Sequence, residues 1–245
     1  MIFGDRRINH QPQVQIEGVR IERVHEIKFL GVMINDKICW NTHIKYICTK
    51  ISRSISVMAK ARNFLDNKSP HILFCSLVLR NLNYCTEMWG NTYKSSLEPL
   101  LKLQKSALEI KFIIIIDIIK KTHQNNFNAS YLEHTNPLFI KSKIIKLNDV
   151  VEFQTAQFLY KTRNYLLLSN LQKMFHEREG RYDLREQFNF KIQRYRTTIK
   201  KFCITNTGVR LRNGLSVDLK QCQSINQLKN KYKHRTFARY KEEET

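Results

Sequence analysis

Cys39 and His43 stand four residues apart, the spacing that sets a thiol and an imidazole on one face of a helix. A cysteine beside such a base is an activated nucleophile. Cys39, however, falls before the expected helix start, so the pair is read as a packed thiol next to a histidine that packs and hydrogen-bonds. The remaining cysteines, Cys48, Cys75, Cys85, Cys203 and Cys222, contain no C-x-x-C pair, and a zinc site lacks its usual signature. The aspartates are Asp5, Asp36, Asp66, Asp117, Asp149, Asp183 and Asp218, and no two are adjacent. There is no G-x-S-x-G, no phosphate-cradling P-loop and no H-E-x-x-H, so the familiar routes to hydrolysis and phosphoryl transfer have no residues to run on.

What is abundant is positive charge. Lys and Arg number 42 against 21 acidic residues, a formal charge of +21 and a pI near 9.9. Such an excess draws polyanions, and nucleic acid (RNA, DNA or a hybrid duplex) is the expected partner. From Lys173 to Arg239 there are 17 Lys or Arg and 5 Asp or Glu, which makes this the most polyanion-facing stretch. Within it and just past its end, Arg181, Arg194, Arg196 and Arg239 are interleaved with Tyr182, Tyr195, Tyr232 and Tyr240, and Lys200 and Lys201 lie in the same stretch. Arginines that track phosphates while tyrosines stack on bases would use this pattern, and so would ordinary core or surface tyrosines. Tyr46, Lys50, Arg53 and Lys60 form a second candidate, an aromatic and basic stripe along one helix, for which a plain solvated face is the competing reading.

The elements that must carry these groups follow from hydrophobic period. Ile27, Phe29, Val32 and Ile34 alternate around Gly31, which reads as a buried strand, and Asn35-Asp36 turns the chain into a helix capped near Asn41 and Thr42. Upstream, a strand-like Met1 to Phe3 and alternation from Val14 to Ile21 about Glu17-Gly18 suggest a hairpin in the same small sheet. Ile44, Ile47, Ile51, Ile55, Met58 and Leu65 recur at helical steps and define a buried stripe. Ser69-Pro70 opens a helix that is apolar on nearly every side through Leu73, Leu77, Leu79, Leu82 and Tyr84 towards Trp89, so it is expected to be the central one. A helix from Ser95, one started by Pro137, one over Leu147 to Tyr165, a short turn from Leu171 to Phe175 and a basic last helix with Ile225, Leu228 and Tyr232 complete the list. The isoleucine run at 113–116 reads as a drifted insertion, hazardous if exposed.

Several of these blocks resemble a known family. Phe29-Leu30-Gly31-Val32, then Ile34-Asn35-Asp36, Trp40 and His43-Ile44, is similar to the block that closes the palm and opens the thumb in reverse transcriptases of LINE-type, jockey-like non-LTR retrotransposons. Tyr84 with Trp89-Gly90, Leu103-Gln104-Lys105, His134-Thr135-Asn136-Pro137-Leu138, and Gly208 with Leu211 and Asn213 continue the likeness in the family's order. It departs at Ser106 and Glu109, where relatives carry more arginine, and it covers only the part that follows the polymerase centre.

The resemblance implies an RNA-directed DNA polymerase that uses Mg2+ in its full form. Its paired palm aspartates have no counterpart here, so the chain is expected to be a catalytically incomplete fragment with residual, sequence-independent affinity for template and primer. Phe29, Leu30, Gly31 and Val32 would sit where the family holds the primer terminus, and Lys50, Arg53 and Lys60 on thumb surface. The alternatives are a non-binding remnant, a helical interaction scaffold, or a mis-started piece of a full polymerase. The expected fold is α+β, mostly α: a palm-edge sheet over 1–40, a thumb-like helical bundle over 41–110, the insertion at 111–130, further helices over 131–176 and a basic region over 177–245. Lacking an apolar leader, the chain is expected to be intracellular, with reduced thiols. Its longest apolar run, Phe112 to Ile119 around Asp117, is shorter than the roughly 20 residues of a membrane helix.

Overall fold

Two hairpins over residues 15–35 are followed by helices. The computed structural model describes residues 1, 3, 14–66, 68–122, 135–177 and 189–243. Asp5, Tyr131, His134, Arg181, Tyr182, Asp183, the polar tract at 124–126 and the complete Met1 to Phe3 strand lie outside them. The architecture is α+β and mostly α, as the patterning implies.

Strands β1 (Gln15–Ile16) and β2 (Val19–Arg20) pair antiparallel about Glu17-Gly18, where both residues take positive φ. This is the backbone twist that suits a two-residue hairpin. Strands β3 (Glu26–Phe29) and β4 (Val32–Asn35) form a separate ladder, with Ile27 opposite Ile34 and Phe29 opposite Val32. The single buried strand expected across Gly31 is therefore a hairpin with Leu30-Gly31 at its tip. Its two strands are used unequally: Val32 is buried, whereas Ile27 and Phe29 are open to solvent.

Helix α1 (Asn41–Ala61) buries Ile44, Ile47, Ile51 and Met58, with Ile55 and Leu65 packed beside them, as the period requires. Each such side chain is worth about 1.5–3 kcal/mol when fully buried. No side chain caps α1; the Thr42 hydroxyl donates instead to the Glu26 carboxylate at 2.7 Å. A 3-10 turn (Arg62–Phe64) follows. At the next helix the Asp66 carboxylate, rather than Ser69, accepts from the first turn.

The expected single helix towards Trp89 is broken up. α2 (Ser69–Leu73) passes into one and a half turns of π-helix (Phe74–Leu79), then α3 (Arg80–Asn83) ends, and Cys85 at positive φ starts α4 (Thr86–Trp89). Phe74, Val78 and Leu82 are buried but Ile72 is exposed, so this is not the central helix. That position belongs to α7 (Leu147–Arg163), which packs on α4, on α5 (Lys94–Thr122), on α10 (Ile204–Gly214) and on α12 (Ile225–Glu242). Gly90 explains how closely α4 approaches it: an added Cβ would come within 2.5 Å of Val151.

α5 runs straight through the proposed insertion boundary, and Ile114 and Ile118 join the main core. The isoleucine run is helical because it meets that core every fourth residue, which overrides its strand propensity. The short α6 (Thr135–Ser142), α8 (Ser169–Gln172), α9 (Thr198–Phe202) and α11 (Val217–Lys220) fill the gaps between the long helices. Gln104, fully buried on α5, donates to the Ile145 carbonyl and accepts from the Leu147 amide, which fastens the start of α7 to α5. Among the described residues no helix is long and apolar enough to cross a membrane.

Candidate nucleic-acid interface

A cleft of about 320 Å³ opens where the second hairpin, α1 and α3 meet. The hairpin contributes Leu30 and Gly31, α1 contributes His43, Tyr46, Ile47 and Lys50, and Arg80, Asn81 and Tyr84 close the third side. The hairpin reaches this place because Leu30 and Gly31 both take positive φ, at +46° and +84°, turning the chain in two residues. The Tyr84 hydroxyl donates to the Leu30 carbonyl at 2.6 Å and holds the tip against the end of α3.

The π-helix delivers the third side. Its extra residue per turn disturbs the regular hydrogen-bond ladder, and such bulges recur at functional sites. The Leu77 carbonyl takes the Asn81 amide at 2.6 Å and the Ser54 hydroxyl of α1 at 3.3 Å. Immediately beyond it Arg80 is exposed and, among the described residues, pairs with no carboxylate.

His43 is the strut between sheet and helix. It is 2% exposed, its Nδ1 accepts the Met33 amide hydrogen at 3.2 Å, and its ring meets Trp89 edge-on. That bond puts the ring proton on Nε2, which is buried without a partner. An unmet buried donor costs on the order of 1–3 kcal/mol. Burial, and then the Lys50 charge, push the imidazole down to about 4 and keep it neutral near pH 7. It touches no thiol: the Cys39 sulfur takes the Asn35 amide at 2.8 Å, so the candidate nucleophile pair is not assembled.

Tyr46 lies between two ammonium groups, Lys50 at 4.6 Å and Lys28 at 5.1 Å from its ring. Hydrogen bonding to Lys28 and then Lys50 draws its phenol below the usual range. No carboxylate lines the cleft; Glu26 of β3 is engaged by Thr42.

Of the residues singled out from sequence, Leu30, Gly31, Tyr46 and Lys50 meet here. Phe29 adjoins but faces solvent, and Val32 is in the core rather than at a surface. Arg53 and Lys60 lie farther along the exposed face of α1. Arg194, Arg196, Lys200 and Lys201 lie elsewhere, on and before α9, which packs chiefly on α10. Lys201 sits over the rings of Tyr93 and Phe202, at 5.4 and 5.2 Å.

The stacking role offered for Tyr232 and Tyr240 is excluded by their burial: their hydroxyls donate to Glu152 and Asp149 inside the protein. Burial first, and those carboxylates second, raise both phenols. Tyr195 stays half exposed with Arg210 over its ring at 5.7 Å.

Sequence reasoning missed Arg80 and Lys28, since neither belongs to a basic cluster and only the bulge and the hairpin bring the first to the cleft and the second over the Tyr46 ring. It also passed over His71 and Cys75, whose Nε2 and sulfur stand 3.6 Å apart on α2 and the π segment. Burial lowers that imidazole and raises that thiol, which leaves a neutral pair and no thiolate.

Among the described residues the aspartates do not assemble a two-magnesium centre. Asp36 pairs with His25, Asp66 with Ser69, Asp117 with Arg62 and Asp149 with Arg239 and Tyr240. Among the described residues no three His, Cys, Asp or Glu converge. Compared with known proteins, the chain matches no family model, no curated protein and no solved structure.

Proposed function

We infer that this chain binds the backbone of a nucleic-acid duplex through the face built from the second hairpin, α1 and α3, and that it carries no nucleotide-transfer chemistry of its own. The observation that carries the reading is the cleft with Lys50 and Arg80 in its wall, Lys28 against Tyr46, and no carboxylate lining it. Cations left without acidic partners attract phosphates and release their counterions on contact. Arg53 and Lys60 extend the same charged face along α1, and Arg194, Arg196, Lys200 and Lys201 form a second, separate basic surface. The likeness of the Phe29 to Val32 block to the palm–thumb junction of non-LTR reverse transcriptases supports the same assignment. The chain is then a piece of that machinery able to grip template and primer, with no cluster of acids to hold magnesium among the described residues.

Filter binding of duplex DNA and of RNA–DNA hybrid at low salt tests it. Retention that is indifferent to base sequence and falls steeply with salt is expected; no retention of either probe overturns the reading.

A second reading has its own observation. Ile16, Val19, Ile27, Phe29 and Leu30 are all exposed on the two hairpins, an apolar surface that suits a protein partner. A scaffold of that kind would keep its partner when Lys50 and Arg53 are reversed in charge, whereas nucleic-acid affinity would fall.

A further inference from the structure

Helices α10, α11 and α12 line a groove of about 400 Å³. Leu211, Leu215 and Leu219 give it an aliphatic lining, and Gly214 keeps it open, since a Cβ added there would meet nothing within 4 Å. Arg210 reaches it from α10, and Arg235 and Arg239 reach it from α12. A second hollow of about 670 Å³ shares Leu219 and Arg235 with it and adds His234 and Lys231. From Lys231 to Arg239 the α12 wall spans about 12 Å, roughly two helical turns. The arginines are not equally free. Arg239 is held by Asp149, whereas Arg210 and Arg235 are exposed and, among the described residues, meet no carboxylate. Arg210 Nε donates to Asn206 Oδ1 at 3.2 Å and Arg235 Nη1 to the Ser216 hydroxyl at 2.7 Å. Each keeps its other N–H donors for a ligand, in the planar fork that fits a carboxylate.

We propose that this groove docks an acidic amphipathic segment of a partner protein, with apolar side chains against the leucines and carboxylates on Arg210 and Arg235. The site is separate from the duplex-binding face and does not depend on that reading. Charge complementarity selects an acidic occupant. The lining selects a peptide over a nucleic acid: the leucines offer aliphatic surface, and the Tyr232 ring is buried, so it gives no base a face to stack on. Glu152, which accepts the Tyr232 hydroxyl at 3.2 Å, and Asp218 in the adjoining hollow oppose an unbroken row of phosphates. A peptide can set amides or hydroxyls against those acids. A helix with an apolar ridge and acids beside it meets both demands.

Fluorescence anisotropy with a labelled helical peptide of Leu-Leu-Glu-Glu repeats, and with polyglutamate of equal length, tests the proposal. The leucine-containing peptide is expected to bind about tenfold more tightly than polyglutamate, which has the charge without the apolar ridge. Arg210→Gln with Arg235→Gln should weaken its binding by about tenfold or more. Gly214→Trp, which puts an indole into the open groove where its Cβ strikes no neighbour, should do the same. Duplex affinity should stay within about threefold in both variants. All three positions are exposed, so the variants are expected to fold, which circular dichroism checks.

Equal binding of the two peptides overturns the inference, because charge alone then accounts for it, and so does no binding of either. Unchanged peptide affinity in either variant also overturns it, since the peptide would then be held elsewhere. A loss of duplex binding instead of peptide binding assigns the groove to nucleic acid and overturns it as well. The duplex-binding reading of the cleft stands or falls separately, on filter binding by the wild-type chain.

Discussion

Two regions of this protein are rich in cations, and the fold uses them in opposite ways. In the cleft between the second hairpin and α1, Lys50 and Arg80 line a wall without carboxylates, and the buried His43 leaves a donor unmet. At the other end, α12 carries a denser basic sequence, and two acids of α7, Asp149 and Glu152, meet its inner side. Arg239 pairs with Asp149 of α7 and with Glu243, Lys146 pairs with Glu243, and Tyr232 and Tyr240 turn inward to Glu152 and Asp149. The basic C-terminal stretch is thus partly a docking surface for α7. Charge density along a chain says where cations are; only tertiary pairing says which are left for a ligand.

Removing the acid that Arg239 and Tyr240 of α12 share gives the largest effect. Asp149→Ala strips Arg239 and the buried Tyr240 hydroxyl of their partner. A loss of about 3–5 kcal/mol is expected on breaking such a pair, read from the urea midpoint. If α12 were merely a solvated basic helix, the same change would cost little.

The corresponding lever at the cleft is His43. Its folded value of about 4 lies below the ordinary 6.5, so the unfolded chain binds more protons between those two values. The contribution is therefore complete above pH 6.5 and is lost as pH falls towards 4, amounting to about 3 kcal/mol. His43→Asn, whose amide oxygen can accept the same Met33 bond, should show a flatter urea midpoint over that interval. Parallel curves for the two proteins would contradict the assignment.

Reversing charge on each side sharpens the contrast in binding. Lys50→Glu with Arg80→Glu should weaken duplex binding by about 30-fold, some 2 kcal/mol. Lys229→Glu with Lys231→Glu on α12 should change it by no more than about threefold. The smallest effect is a gain. Leu30 is 74% exposed yet held at positive φ, so Leu30→Asn should raise stability by about 0.5–1 kcal/mol in a thermal melt.

The helical part of the fold was largely legible. The stripe from Ile44 to Met58 and the row Leu228, Tyr232 on α12 are buried as their spacing requires, and Glu17-Gly18 forms the expected turn. Leu30-Gly31 was not read as a turn because leucine rarely takes positive φ, and the alternation on its two sides continues as if through one strand. The break before Trp89 was hidden because a π bulge and a left-handed Cys85 leave no mark in hydrophobic period. Of the site, Leu30, Gly31, Tyr46 and Lys50 could be named in advance. Arg80 could not, since its place depends on that bulge, nor could the inward turn of Tyr232 and Tyr240, which depends on carboxylates some 80 to 90 residues away.

The central claim is that unpaired cations at the cleft, more than the greater number on α12, hold phosphate. The most direct measurement is the dependence of duplex affinity on salt, compared between the wild-type chain and the Lys50→Glu, Arg80→Glu double variant. Each phosphate contact contributes a slope of about −0.9, so the double variant should lie shallower by about two. An unchanged slope in that variant, with the loss appearing instead on reversal of Lys229 and Lys231, would contradict the account.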